Sequence, residues 1–297
     1  MADRVVLITG AGNGIGAALA VRLAELGDSV ALLDVDPDAA ARVAERCGER
    51  ALAIRADITD LASLQSAAAA TVDRFGRIDV CVANAGIGVA GSLRHLDPDA
   101  FDAQFRVNVG GTFRTVRACL PELEKSKGYL VLIASLSSIA APPGLGAYGA
   151  SKAATESLGD VLRIELAHLG IAVGVAYFTW IATDLVEGAE REQRAFKVMR
   201  DNMAWPAKRV IAVDDAIEAL VRGIAKRSRR IIAPGFIRGL LRVRGFARPL
   251  VEPTLLKMAP AVDAATVEDI AEKGLGAAIR SDTAGGEAAA RSVGRDL

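Results

Sequence analysis

Short apolar runs, barely interrupted by polar residues, recur from the start of the chain to Tyr177. They are Val5–Ile8, Val30–Leu33, Leu52–Ile54, Ile78–Val82, Leu130–Ile133 and Ile171–Tyr177. Runs of this kind suit strands buried on both faces, as in a parallel sheet. Between them lie stretches with helical periodicity, such as Ala17–Glu25, Pro37–Arg46 and Leu61–Phe75. Asp36 before Pro37 reads as a cap followed by a first-turn proline, and Thr59 and Asp60 offer oxygen caps for the third helix. A seventh short strand fits Arg230–Ala233, stopped by Pro234. Strand and helix alternating at this spacing predict right-handed crossovers and an α/β, doubly wound, mostly parallel seven-stranded sheet.

Two long charge-free runs, Gly128–Ser151 and Leu166–Thr183, invite comparison with membrane spans. Pro142, Pro143 and several glycines break the first, and Gly170 and Gly174 break the second. A spanning helix needs about 20 mainly apolar residues. Both runs therefore read as buried strands joined to loops or helix ends.

The 297 residues are 52% hydrophobic and 24% charged, which excludes a disordered chain and allows a large core. Thirty-six basic residues balance thirty-six acidic ones, so nucleic acid is not an expected partner. Cys47, Cys81 and Cys119 are far apart in sequence, and His95 and His168 are the only histidines. No metal site or disulfide framework is expected, and with no signal-peptide pattern at the start the expected compartment is a reducing cytoplasm.

The first strand leads into Thr9-Gly10-Ala11-Gly12-Asn13-Gly14-Ile15-Gly16 and then a helix. Glycines here let the backbone turn sharply and approach a pyrophosphate, while the helix start offers free N–H groups. The spacing is Gly10, Gly14, Gly16 rather than the common GxGxxG, since position 15 is Ile. Asp34 ends the second strand, 24 residues after Gly10. A carboxylate there accepts from ribose hydroxyls and repels a 2′-phosphate, so NAD is expected rather than NADP. Tyr148 and Lys152 stand four apart, on one face if a helix begins near Ala147. A phenol has an ordinary pKa of ~10, and a nearby ammonium would lower it towards use as a base. Ser135, thirteen residues earlier at a strand end, is placed to hold a substrate oxygen beside that phenol.

Taken together, the glycine loop, Asp34, Asp57, Asn84-Ala85-Gly86, Asn108, Ser135 and Tyr148/Lys152 occur in an order that resembles the short-chain dehydrogenase/reductase family over roughly residues 3–235. The resemblance implies a Rossmann-type dinucleotide-binding and catalytic domain over residues 1–235, with a substrate lid at about 184–206. Residues 236–297 are expected to form a C-terminal extension, its Ala-, Gly- and charge-rich tail from about 274 poorly ordered. It implies that Tyr148 is the general acid/base. Lys152 lowers its pKa and binds the nicotinamide ribose, Ser135 donates to the substrate oxygen, and Asn108 holds a relay water. The cofactor would meet Gly10, Asn13, Gly14, Ile15, Gly16, Asp34, Asp57, Ile58, Asn84, Ala85, Gly86, Ile181 and Thr183, besides Tyr148 and Lys152. Asn84 has an equally good reading as a purely structural residue. Where the family has Pro-Gly after the sixth strand, this chain has Phe178-Thr179. A homodimer or homotetramer packed through the helices bearing Asn108 and Tyr148 is also implied.

Leu185, Val186, Phe196, Met199, Met203 and Trp205, with Leu136, Leu145 and Trp180, are candidates to line an apolar pocket for an alcohol or ketone substrate. The stretch Phe236–Leu250 mixes Arg238, Arg242, Arg244 and Arg248 with Leu240, Leu241, Val243 and Phe246. Its plain reading is a solvated extension. An anionic membrane surface, a substrate phosphate or a neighbouring subunit are the others. The alternatives to an NAD-dependent oxidoreductase are a dinucleotide-sensing regulator without catalysis and a peripheral membrane-bound relative.

Overall fold

The computed structural model describes residues 3–203 and 205–274. The side chains of Leu185, Phe246 and Arg248 lie outside that description, as does the expectation of a poorly ordered tail. The strands are β1 (Val5–Thr9), β2 (Ser29–Asp34), β3 (Ala51–Arg55), β4 (Val80–Ala83), β5 (Tyr129–Ile133), β6 (Ala172–Phe178), β7 (Trp180–Ile181), β8 (Val210–Ile211) and β9 (Arg230–Ala233). The helices are α1 (Gly14–Glu25), α2 (Pro37–Cys47), α3 (Leu61–Phe75), α4 (Pro98–Phe105), α5 (Thr112–Ser126), α6 (Gly146–Glu165), α7 (Asp184–Glu192), α8 (Arg194–Asp201), α9 (Val213–Ala225), α10 (Phe236–Arg242) and α11 (Arg244–Lys273).

Seven strands form one parallel sheet in the order β3-β2-β1-β4-β5-β6-β9, and β7 pairs with β8 beside it. Every residue of β1, β4 and β5 is buried. Alternate side chains of these strands serve two cores. Val6, Ile8 and Val82 pack with α1 and α9, whereas Leu7, Cys81 and Leu130 pack with α3 and α5. Cys81 and Cys119, distant in sequence, meet in the second core as free thiols.

After β3 the chain crosses back to place β4 on the other side of β1. That reversal opens a crevice at the C-terminal ends of β1 and β4, the place where open α/β sheets take ligands. The glycine loop leaves β1 there, and Asn84-Ala85-Gly86 leaves β4 there.

The arginine-rich stretch is not a solvated extension. Ile237 and Leu241 of α10 are buried against Leu136 and Tyr177. Arg244 pairs with the buried Glu156 of α6 at 2.6 Å, and Arg229 and Arg230 pair with Asp160 of the same helix. Helix α11 then runs back over α8, where Met258, Val262 and Ala265 share a small core with Phe196 and Met199. The Asp269 carboxylate caps α8 by accepting from the Arg194 and Ala195 N–H groups. The amphipathic pattern thus marks helices folded onto the body, with Ile237 and Leu241 covered by protein and Arg244 paired with a carboxylate, while Arg238 and Arg242 stay exposed.

Candidate active site

The glycine loop has the shape its sequence implies. Gly10 and Gly14 have φ of 65° and 54°, a region that costs side-chain-bearing residues energy. A Cβ on Gly16 would collide with the Gly10 carbonyl. Asn13 stands at the N-cap of α1 without capping it, and the first turn holds no acidic residue. The helix start therefore keeps its N–H groups and positive end available to an anion. Asp34 braces this loop: its carboxylate accepts from the Gly12 and Asp36 N–H groups at 2.8 and 3.0 Å. It is half-buried, and a Cβ on Gly12 would lie only 2.9 Å from it. This cradle of glycines, uncapped helix end and carboxylate fits an adenine dinucleotide.

The remaining cofactor candidates divide into surface and support. Thr183 lies beside Gly14. Ile15 packs partly into the sheet core, and the Ile181 side chain lies within that core. Asp57 accepts from the Thr59 N–H and hydroxyl at 2.8 Å, which holds the turn before α3. Ile58 is buried, and a Cβ on Gly111 would strike it. Asn84 is fully engaged in structure: its amide donates to the Thr9 and Gly10 carbonyls at 2.9 and 3.0 Å. The Thr9 hydroxyl accepts from the Asn84 and Ala85 N–H groups. Ala85 packs on Gly10, and Gly86 leaves room for Asn108 and Lys152.

Asn108 lies in a widened π-type turn, Arg106–Gly111, between α4 and α5. Such turns leave the α-helical ladder out of step and occur often at functional sites. Here the Asn108 carbonyl accepts from the Thr112 and Thr155 hydroxyls at 2.7 and 3.4 Å. Its side chain clamps the Ile87 backbone, accepting from N–H at 2.8 Å and donating to C=O at 3.0 Å. It also donates to the Ser151 hydroxyl at 3.1 Å.

Helix α6 begins at Gly146, so Tyr148 and Lys152 share a face. Ser135 ends the loop after β5, accepts from the Ser137 N–H and is hydrogen-bonded to the Tyr148 phenol. The Lys152 ammonium sits 5.8 Å from the centre of the Tyr148 ring and donates to the Ile133 carbonyl at 2.9 Å. Burial pushes the Tyr148 phenol up, and the Ser135 hydrogen bond only partly opposes this. Burial also pushes Lys152 down to about 8. The expected lowering of the tyrosine by the lysine is not found: burial of the phenol sets the direction, and the opposing contribution comes from Ser135.

Beside the phenol is a partly open cleft with a cavity volume of about 90 Å³. Ser135, Leu136, Leu145, Trp180, Val186 and Phe196 are among the residues lining it. Met203 lines it too, but Met199 is buried beneath it and Trp205 is 77% exposed, away from it. Three polar residues not anticipated as site residues also belong here. Gln104 is fully buried and holds the Val89 N–H and Ile87 carbonyl, each at 2.7 Å. The sequence signal was a lone amide beside the apolar positions Ala100 and Ala103 of α4 and Val107 of the turn that follows. Thr179 and Gln193 line the cleft itself.

A family model described as short chain dehydrogenase matches residues 4–194. The chain belongs to the short-chain dehydrogenase/reductase family. It is 39% identical over 177 residues to 2-(R)-hydroxypropyl-CoM dehydrogenase of Xanthobacter autotrophicus, covering 57% of this chain and 71% of that one. An NAD-dependent oxidoreductase of Mycobacterium tuberculosis is 35% identical over 202 residues, 62% of this chain and 74% of its own. Among solved structures, a Burkholderia phymatum family member in complex with NAD superposes with a TM-score of 0.73 at 27% identity, covering 84% and 96% of the two chains. The 3-ketoacyl-(acyl-carrier-protein) reductase of Brucella melitensis complexed with NADH gives 0.68 at 32% identity, covering 76% and 92%. The protein is thus an oxidoreductase of this family, with the family's sheet. Among the described residues no helix is long and apolar enough to cross a membrane.

Proposed function

We propose that the chain is an NAD-dependent alcohol dehydrogenase or carbonyl reductase acting on an apolar secondary alcohol or ketone. The observation that carries this is a mainly apolar cleft lined by Ser135 and Tyr148, with the buried Lys152 ammonium 5.8 Å from the centre of the Tyr148 ring. A chain that only senses a dinucleotide has no use for such a set. Bound in the β1/β4 crevice, the nicotinamide dinucleotide supplies or accepts the hydride. The chain's residues manage the oxygen. In oxidation Tyr148 takes the hydroxyl proton as the carbinol C–H bond breaks and the carbonyl forms; in reduction it returns that proton. Ser135 donates to the substrate oxygen and steadies the phenolate. Lys152 holds positive charge beside both and offers a donor to the nicotinamide ribose. Asn108 fixes the π-type turn and would hold a relay water there. Gly10, Asn13, Gly14, Ile15 and Gly16 cradle the pyrophosphate. Asp57 and Ile58 face the adenine, and Ala85, Gly86, Ile181 and Thr183 border the nicotinamide half.

Asp34 supports NAD over NADP, since its carboxylate would meet a 2′-phosphate with like charge. The exposed Phe113 on α5 and Val161 and Ile164 on α6 support a homodimer or homotetramer through those helices. The three free thiols suit a reducing cytoplasm.

The test is a nicotinamide-absorbance screen of neutral secondary alcohols and ketones with each cofactor, for the native chain and Asp34→Ala. Turnover with NAD(H), with the preference over NADP(H) narrowed by Asp34→Ala, is expected. Equal or better use of NADPH by the native chain would contradict the cofactor reading. Absence of turnover across the panel would contradict the enzyme reading.

A further inference from the structure

Thr179 is the single residue between β6 and β7. The backbone is pinned on both sides of it. Phe178 pairs with Ala233 in the main sheet, and Trp180 pairs with Val210. Trp180 is held further by donating its indole N–H to the Ala207 carbonyl at 2.9 Å and by an edge-on contact with Phe196. A β-branched side chain on a fixed backbone has few rotamers to choose from. The Thr179 side chain is therefore aimed rather than mobile.

Its hydroxyl is buried and has no hydrogen-bond partner among the described residues. Thr179 nevertheless lines the same cleft as Ser135 and Tyr148. A desolvated hydroxyl without a partner is destabilising, and a persistent case asks for an explanation in a ligand. This is also the position where the chain departs from the Pro-Gly pattern, exchanging a residue without a side chain for one with a hydroxyl. Among the described residues lining the cleft there is no charged side chain. An ionised group entering there would lose its hydration without gaining a counter-charge.

We propose that Thr179 is a specificity-determining residue that hydrogen-bonds a second, uncharged polar group of the substrate. This inference rests on the reading of the cleft as the site of an alcohol/ketone oxidoreductase. The substrate class it names is a neutral, mainly apolar hydroxyketone, diketone or corresponding diol. Ser135 and Tyr148 hold the reacting oxygen, and Thr179 holds the other. A hydroxyl both donates and accepts, so the second group is a carbonyl or a hydroxyl.

The test compares matched neutral pairs, cyclohexanone against each of the cyclohexanediones, in the native chain, Thr179→Val and Thr179→Ser. Thermal unfolding and NADH binding by fluorescence are measured alongside. The native chain should favour at least one dione over the monoketone in kcat/KM. Thr179→Val, of nearly the same shape, should lower that ratio about tenfold to a hundredfold, chiefly through KM, and Thr179→Ser should keep it. Thr179→Val should melt no lower than the native chain, since it deletes a hydroxyl that has no partner. A ratio unchanged by Thr179→Val would overturn the inference while leaving the oxidoreductase reading intact. A lowered melting temperature would assign the hydroxyl to structure, and weakened NADH binding would assign it to the cofactor; either overturns the proposal. No turnover of monoketone or dione would remove the inference together with the reading beneath it.

Discussion

Burial of Lys152 carries a cost that the rest of the molecule bears. The residue is 6% exposed, and its ammonium donates to the Ile133 carbonyl. The unfolded chain keeps this proton up to about pH 10.5 and the folded chain only to about 8. Between those values the unfolded state binds more protons, so this residue makes stability rise with pH across that window. Tyr129 and Tyr177 act the other way above pH 10, because burial raises their phenols and only the unfolded chain ionises there. Lys152→Met should therefore be more stable than the native chain at pH 7, by about 1–3 kcal/mol, with the difference fading towards pH 10. Urea unfolding at a series of pH values checks it; a variant less stable at pH 7 would contradict it. At this scale the sequence was informative where a residue type is rare for chemical reasons, as in Tyr148, Lys152 and Ser135. It was silent on Gln104 and marked Thr179 only as a departure from Pro-Gly, because the meaning of each depends on what surrounds it after folding. It also could not set the sign of the Tyr148 shift, because desolvation is a property of the packed site.

Helix α11 shows how elements far apart in sequence build one wall. Three prolines, Pro249, Pro253 and Pro260, lie within it, yet Met258, Val262 and Ala265 bury in one core with Phe196, Leu145 and Tyr148. Met258→Ala should cost about 2–4 kcal/mol of stability. It should raise KM for substrate more than Kd for NADH, since the β1/β4 crevice is built from other elements. Calorimetry with both measurements decides this, and an equal loss for both ligands would contradict it. The strands were legible in the sequence because each is an apolar run in a sheet covered on both faces. The fate of α10 and α11 was not. An arginine-rich amphipathic pattern specifies a buried face without saying what buries it, and the carboxylate that meets Arg244, Glu156, is on a distant helix.

For the molecule as a whole, one crossing of the chain creates the crevice, and the loops leaving β1, β4 and β5 bring the cofactor cradle and the catalytic set to the same edge of the sheet. Because Ile237 and Leu241 are already buried within the protein, the arginine-rich stretch does not need lipid to cover them. Co-sedimentation with anionic vesicles at low salt should show no binding, and salt-sensitive binding would contradict that. The central claim is that Tyr148 moves the proton while the neighbouring residues hold their places without it. It is tested most directly by hydride transfer in Tyr148→Phe, measured by nicotinamide absorbance on a substrate the native chain turns over, with NADH binding and thermal unfolding in parallel. Turnover should fall by at least ~10²–10⁴-fold while cofactor affinity and fold are retained. Near-native turnover in Tyr148→Phe would contradict the account.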